Sequence, residues 1–210
     1  MNPKAHDAHS SSSPESGPAT PSDEWTREEL EGVRRRDPQA LERFFERTFD
    51  SIYGLSFRLL SDRTAAEDAT QEVFLKVHRA AHRIDPQRDP TPWILTITTN
   101  VCRDLFRSSG HKMSKASVSI DEEPELGASL VRETSTPEAE LLQKEQQSQV
   151  QAAIGRLPEA LREVIVLHDY QGLGHQEIAE IVKVSYGAVR KRYSRALSAL
   201  GEILEEIADE

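Results

Sequence analysis

The chain has 210 residues, with 36 acidic and 26 basic side chains and a formal net charge of −10. This length allows one or two domains, and the acidic balance argues against a protein that coats DNA nonspecifically. The single cysteine, Cys102, excludes a disulfide framework or a cysteine metal cluster within one chain. No apolar run approaches the ~18 residues of a membrane span, and the N-terminus lacks the apolar core of a secretion signal. We therefore expect a cytoplasmic protein.

Residues 1–23 are rich in Ser, Pro, Ala and His, and we predict a disordered tail because they cannot bury enough apolar surface to order themselves. A short helix is expected within 24–36, where Trp25 would dock on the following domain. Asp37 and Pro38 then open a strong helix, Asp as N-cap and Pro at the first helical position. Apolar residues follow at helical spacing until residues 61–63 interrupt the pattern.

The next helix is predicted to begin with a capping box from Thr64 to Glu67. Its inner face would bury small and β-branched side chains, including Ala69 and Val73. The opposite face carries Asp68, Gln71, Glu72, Phe74 and Leu75. Apolar side chains beside acids on an outer face indicate a docking surface, although an ordinary solvated face has the same pattern.

A loop with two Asp-Pro steps, residues 82–91, precedes a third helix that we predict from Thr91-Pro92 to about Ser108. Trp93, Ile97 and Leu105 belong to its apolar stripe. A tryptophan at a loop–helix junction beside cations suits stacking on an unpaired base. On the pattern alone, the stronger interpretation is that Trp93 fills the core of a helical bundle.

Residues 113–136 contain Gly, Ser, Pro and acids without periodicity, and we predict a flexible acidic linker. Helical patterns restart at Pro137 and again at Leu157-Pro158, with Gly172 ending the second. Residues 201–210 contain five acids and no base, so we expect a frayed acidic end. The chain is predicted to be all-α, with two small helical domains: 24–112 and 137–204, followed by an acidic tail at 205–210.

A basic helix-turn-helix pattern ends the second domain, within residues 172–200. Its first helix would run from about Gln176 to Val182, the turn would contain Lys183, and Ser185 would cap a second helix from Tyr186. That helix contains Arg190, Lys191, Arg192 and Arg195, and no acid occurs within 186–200. Cations so placed can reach phosphates and base edges in the major groove. The alternative is a solvated basic face on an ordinary helical hairpin.

Taken together, these motifs resemble the bacterial RNA polymerase sigma factors of the small, two-domain extracytoplasmic-function (group IV) kind. The resemblance covers residues 33–112 and 137–204. It rests on the segments AEDATQEVFL and PWILTITTNVCRDLFR in the first domain and RLPEALREVIVLHDYQGLGHQEIAEIVKVSYGAVRKRYSRAL in the second. The sequence departs from the family pattern at Lys183, where glycine is common, and at Tyr186 and Ala188 in the second helix of the motif.

The resemblance implies a protein without cofactors that directs promoter-specific transcription initiation as part of RNA polymerase. Its partners would be core RNA polymerase, promoter DNA and, as a further candidate, an anti-sigma factor. Docking on the clamp helices of the largest polymerase subunit would involve Asp68, Gln71, Glu72, Phe74 and Leu75. The melted −10 element would be read by Arg88, Trp93, Thr96, Asn100, Arg103 and Arg107. The −35 duplex would be read by Ser185, Tyr186, Ala188, Arg190, Lys191, Arg192, Ser194 and Arg195.

The main alternative is a stand-alone helix-turn-helix regulator that binds an operator without polymerase. It would explain 172–200 but neither the docking face nor the loop and helix at 82–107, and no heptad pattern for a dimer is present. An enzyme is disfavoured because Cys102 lies mid-helix without a histidine placed to activate it, so a buried structural thiol is expected. The seven histidines show no metal-ligand spacing, and no Gly-rich phosphate loop is present.

Overall fold

The computed structural model describes residues 24–109 and 137–209, and all regular structure within these ranges is helical. The predicted all-α class is therefore confirmed. The predicted tail at 1–23 and the predicted linker at 113–136 lie outside the described residues. The helices are α1 (Arg27–Arg34), α2 (Pro38–Leu60), α3 (Arg63–Ala80), α4 (Thr91–Ser109), α5 (Pro137–Arg156), α6 (Glu159–Ile165), α7 (His175–Val182) and α8 (Tyr186–Ala208).

Short polar side chains begin α1, α2, α3 and α8 by accepting a hydrogen bond from the first turn. Asp37 caps α2 as predicted, and Thr26 forms a full capping box with Glu29 at α1. The hydrogen bonds from Thr26 hold the pKa of Glu29 below its ordinary value. The predicted capping box at Thr64 is wrong, because the N-cap of α3 lies two residues earlier, at Asp62, which accepts a hydrogen bond from the Ala65 amide at 2.7 Å.

Helix α2 is the centre of the first group of helices, α1–α4, and packs against α1, α3 and α4. Phe44, Ile52 and Leu55 of α2 are fully buried. The ring of Trp25 lies 4.9 Å from that of Phe44, centroid to centroid, which confirms that Trp25 docks on the following domain. The residues predicted to face inward on α3 are buried, including Ala69 and Val73.

The buried face of α4 differs from the predicted stripe. Trp93, Ile97 and Leu105 are only half-buried, whereas two threonines, Thr98 and Thr99, are fully buried. The helix begins at Thr91, where the Thr91-Pro92 step predicts its start. The face is wider than predicted because α4 packs against α2 and α3 and also against α7.

The second group, α5–α8, contains two features that periodicity did not predict. Helix α6 continues directly into a π-helical turn, Val166–Tyr170, of which Val166 and Leu167 are buried. Helix α8 extends to Ala208, so the predicted fraying from residue 201 is wrong. An ion pair between Arg156 and Glu206 joins the end of α5 to this last part of α8.

The two groups of helices lie against each other and share one continuous hydrophobic core. Helix α2 contacts α5, α6 and the π-helical turn, and α4 contacts α7. The sequence predicted two domains but gave no indication of this contact. None of the helices in the described ranges combines the length and the apolar character that a bilayer span requires.

Candidate nucleic-acid interface

The helix-turn-helix has the geometry that its sequence predicts. Its turn is closed by Lys183, which lies in the left-handed region at φ 58°, and the Val184 amide donates to the Ala179 carbonyl at 3.2 Å. Ser185 caps α8 by accepting from the Ala188 amide at 3.3 Å. The first helix begins at His175, one residue earlier than predicted.

Helix α8 presents its cations to solvent because its opposite face is anchored in the core by Val189 and Ala196. Arg190, Lys191 and Arg195 are exposed and Arg192 is half-buried. Within the described ranges, no carboxylate forms an ion pair with any of these four cations. The other candidate residues of this helix lie on its exposed or half-buried surface: Ser185, Tyr186 and Ser194 are exposed, and Ala188 is half-buried.

A polar cluster that sequence reasoning missed fixes α8 against the preceding turn. The Tyr193 hydroxyl donates to Asp169 Oδ1 at 2.9 Å, and the Tyr193 ring lies edge-on to His168, 4.5 Å between centroids. His168 Nδ1 is 2.7 Å from the Leu173 carbonyl oxygen. Partial burial, with the bond to Asp169, raises the pKa of Tyr193. This cluster sets the direction in which the cationic face points.

The candidate residues for the melted strand lie on α4 and the loop before it. Asn100 and Arg107 are exposed, and Trp93 is half-buried. Thr96 is half-buried and donates through Oγ1 to the Pro92 carbonyl at 2.8 Å. Arg88 is exposed in the loop and pairs with Asp85 at 3.4 Å. Three of the six candidates on this surface are therefore exposed, and Trp93 and Thr96 are half-buried.

Arg103, the fifth candidate on α4, is held by the second group of helices. Its Nε donates to Glu163 Oε1 and its Nη2 to Glu163 Oε2, both at 2.9 Å. Glu159 Oε1 lies 3.8 Å from Arg103 Nε. The pKa of Arg103 is raised, chiefly by the hydrogen bonds to Glu163. No local pattern predicts this pair, because its members are 60 residues apart in the chain.

The residues predicted to form a docking surface lie on the outer face of α3, with one exception. Asp68, Gln71 and Leu75 are exposed and Glu72 is half-buried; Leu75, at 51% exposure, is a large apolar side chain in water. Phe74 instead turns toward α2.

Aromatic residues of α2 extend this surface in a way the sequence did not indicate. The ring of Phe74 lies 4.7 Å from Phe45 and 6.2 Å from Phe49. Phe49 itself is 47% exposed. Phe49 and Leu75 are thus exposed apolar side chains on two adjacent helices.

Cys102 is buried, as expected of a structural thiol. Burial raises its pKa to about 12. A thiol in this state is a poor nucleophile at neutral pH.

Comparison with known proteins identifies the family. The family models for Sigma-70 region 2 and Sigma-70, region 4 match residues 44–112 and 147–200. The RNA polymerase sigma-H factor of Pseudomonas aeruginosa is 28% identical, covering 86% of this chain and 94% of that protein. The ECF RNA polymerase sigma-E factor of Haemophilus influenzae is 30% identical, covering 80% of this chain and 88% of that protein.

The fold is also found among solved structures. The sigma factor RpoE of Bartonella quintana, solved in complex with the anti-sigma factor NepR, is 20% identical with a TM-score of 0.57, over 78% of this chain and 96% of that one. The chain belongs to the extracytoplasmic-function group of RNA polymerase sigma factors, the proteins that act in transcription initiation.

Proposed function

We propose that this sigma factor binds core RNA polymerase and directs promoter-specific initiation by reading two promoter elements in different ways. Helix α8 reads the −35 element as duplex, and α4 with the loop before it reads the −10 element as a melted strand. The two domains that do this are residues 24–112 and 137–204. The expected compartment is the cytoplasm, where polymerase and promoter are found.

The observation that carries the proposal is the cationic face of α8. Arg190, Lys191 and Arg195 are exposed on a helix-turn-helix whose opposite side is buried. If a carboxylate of the free protein were paired with one of these cations, DNA would have to displace it. Among the described residues, no carboxylate forms an ion pair with them. A recognition helix so presented can enter the major groove, where guanidinium groups bind phosphates or guanine edges.

Reading of the −10 element requires more than this small domain can supply by itself. Separating stacked base pairs costs about 1.4 kcal/mol per step, and stacking one unpaired base on an aromatic side chain returns roughly 1–3 kcal/mol. One base captured by Trp93 cannot hold open a bubble of several pairs. Under this proposal, the protein therefore melts DNA only when it is bound to core RNA polymerase.

The docking surface is the outer face of α3, with Asp68, Gln71, Glu72 and Leu75, extended by Phe49 of α2. Exposed apolar side chains surrounded by polar ones are typical of protein–protein contacts. We propose that this surface binds the clamp helices of the largest polymerase subunit. An anti-sigma factor is a further proposed partner, since a structure of the same fold is such a complex.

The test is transcription in vitro from a pool of promoter fragments with purified core polymerase, with and without this protein. Promoter-specific transcripts that need both components support the proposal, and their upstream sequences give the −35 and −10 preferences. Retained binding to a duplex operator, with neither core binding nor transcripts, would instead indicate a stand-alone regulator.

Two matched pairs of variants separate the proposed surfaces. Arg190→Ala is expected to weaken binding to −35 duplex by about five- to 150-fold, corresponding to the roughly 1–3 kcal/mol of a base-edge contact, with core binding unchanged. Arg27→Ala, an exposed cation on α1, is the control. Equal loss of core and DNA binding would contradict the assignment of α8.

For the docking surface, Leu75→Asp is expected to reduce core affinity by tenfold or more without changing −35 binding. The control is Leu197→Asp, which alters an equally exposed leucine, 47% against 51% for Leu75, on α8. Unchanged core affinity in the Leu75 variant would remove α3 from the proposed contact.

A further inference from the structure

We propose that the packed arrangement of the two groups of helices is a closed, autoinhibited conformation, held by a contact of Arg103 with Glu159 and Glu163. This contact occupies a side chain that −10 recognition needs. The inference rests on the proposed function, because it concerns regulation of the same surface. We call the Arg103–Glu159–Glu163 cluster the closing contact.

The closing contact is a strong one by its geometry. The guanidinium of Arg103 meets the Glu163 carboxylate through two parallel hydrogen bonds of 2.9 Å, the paired geometry in which these groups bind most strongly. The Arg103 and Glu163 side chains are 17% and 7% exposed. Screening by salt is weak for such partly buried pairs. The third nitrogen of the guanidinium, Nη1, donates to Asn100 Oδ1 at 3.3 Å, so full engagement of Arg103 with DNA requires these contacts to break.

Neighbouring contacts join the same two groups of helices. Arg162, beside Glu163, donates to the Leu59 carbonyl at the end of α2 at 2.6 Å. Gly155 of α5 approaches Ser61 so closely that a Cβ atom added there would lie 2.8 Å from Ser61 Oγ. The absence of a side chain at Gly155 thus permits the two groups to meet.

The closed arrangement is incompatible with reading both promoter elements at once. Elements at −35 and −10 lie about 25 base pairs apart, which is roughly 85 Å along duplex DNA at 3.4 Å per pair. Helix α7 of the helix-turn-helix packs directly on α4, at helix-to-helix distances of about 10 Å. The groups must separate, and the 27 residues between Ser109 and Pro137 can span at most about 90–97 Å.

Opening can be measured with the chain's single cysteine. Cys102 lines a small cavity between the two groups, together with Leu59, Phe106, Arg162 and Glu163. Separation of the groups opens this cavity to solvent, so the rate of Cys102 alkylation in the full-length protein reports the open fraction. Urea unfolding of each variant corrects for exposure through global unfolding.

Two kinds of variant open the contact in different ways. The double variant Glu159→Gln with Glu163→Gln removes the charges and keeps the shapes, and we expect alkylation to become about tenfold faster. Gly155→Leu keeps every charge and places a side chain against Ser61, and should act in the same direction. Glu180→Gln removes one negative charge from an exposed position of α7 and is expected to leave the rate unchanged. Circular dichroism verifies that each variant is folded.

The functional measurement is the affinity of the free protein for a fluorescent single strand carrying the −10 sequence identified in the transcription assay. A binding-competent state that is only partly populated lowers the apparent affinity by its fraction. Affinity and alkylation rate should therefore rise by the same factor in the opened variants. Such a matched rise, absent in Glu180→Gln, supports the proposal.

Unchanged alkylation in both the charge and the glycine variants would overturn the closed conformation. Faster alkylation with unchanged strand affinity would overturn the inhibition. If the wild-type protein with core polymerase yields no promoter-specific transcripts, the proposed function fails. The rate of Cys102 alkylation in the variants, relative to the wild type, then still tests whether the closed conformation exists.

Discussion

Replacement of the buried Arg162 by Met is expected to cost the protein a large part of its stability. Arg162 is 5% exposed, and its guanidinium donates to the carbonyls of Leu59, Gly155 and Leu157. Leu59 belongs to the last turn of α2, and Gly155 belongs to the last turn of α5. Carbonyls at such positions have no partner within their own helix.

The magnitude follows from these three acceptors. Each hydrogen bond to a charged donor contributes roughly 1.5–3 kcal/mol, so the gross loss is several kcal/mol. Burial of the guanidinium opposes this, as the lowered pKa of Arg162 indicates, and Met removes that desolvation cost while filling similar volume. We expect a net decrease of about 2–4 kcal/mol in the free energy of unfolding.

Urea unfolding followed by circular dichroism measures this decrease directly. Arg156→Met is the matched control, because Arg156 lies at the end of α5 with a 46% exposed side chain and pairs with Glu206; its loss should be below about 1 kcal/mol. Arg162→Lys keeps the charge but cannot reach three carbonyls, so it should be intermediate. An Arg162→Met variant within about 1 kcal/mol of the wild type would refute the account of this residue as a carbonyl cap.

Three further predictions concern single positions. Gly32→Ala should destabilise the protein by about 1–3 kcal/mol in urea unfolding, because the added Cβ would lie 2.7 Å from that of Ala40; a neutral effect would show that α1 shifts freely. Burial raises the pKa of Cys102 from 9.0 to about 12. Below pH 9 the thiol is neutral in both the folded and the unfolded chain, whereas between pH 9 and about 12 only the unfolded chain ionises, and the free energy of unfolding decreases. The wild type should therefore lose stability over this pH range more steeply than Cys102→Ala, and parallel pH profiles would contradict this. Lys183→Gly should raise the melting temperature, since the left-handed conformation costs a non-glycine residue about 1–2 kcal/mol, whereas Lys183→Val should lower it.

Local sequence signals were sufficient for most helix ends and for the helix-turn-helix. Asp37 and Ser185 act as caps within their own first turn, and apolar spacing places Val73 and Val189 inside. These signals depend on contacts within about four residues, so they can be read without knowledge of the rest of the fold. The cationic face of α8 could likewise be predicted, because once the apolar spacing shows which residues of a helix are buried, the residues on its opposite side must be exposed.

Only the tertiary structure decided features that depend on a second element. The π-helical turn after α6 packs against α2, and the end of α8 pairs with α5 through Glu206 and Arg156. Thr98 and Thr99 are buried because α4 is covered by α2 and α3 of its own group and by α7 of the other group.

The pairing of Arg103 with Glu163 is the clearest case, since 60 residues separate them. By itself, the sequence places Arg103 on α4 and predicts that it contacts DNA. Only the packing of the two groups of helices determined that this arginine is held by a carboxylate, because a charge pair across such a separation leaves no periodic or local trace in either segment.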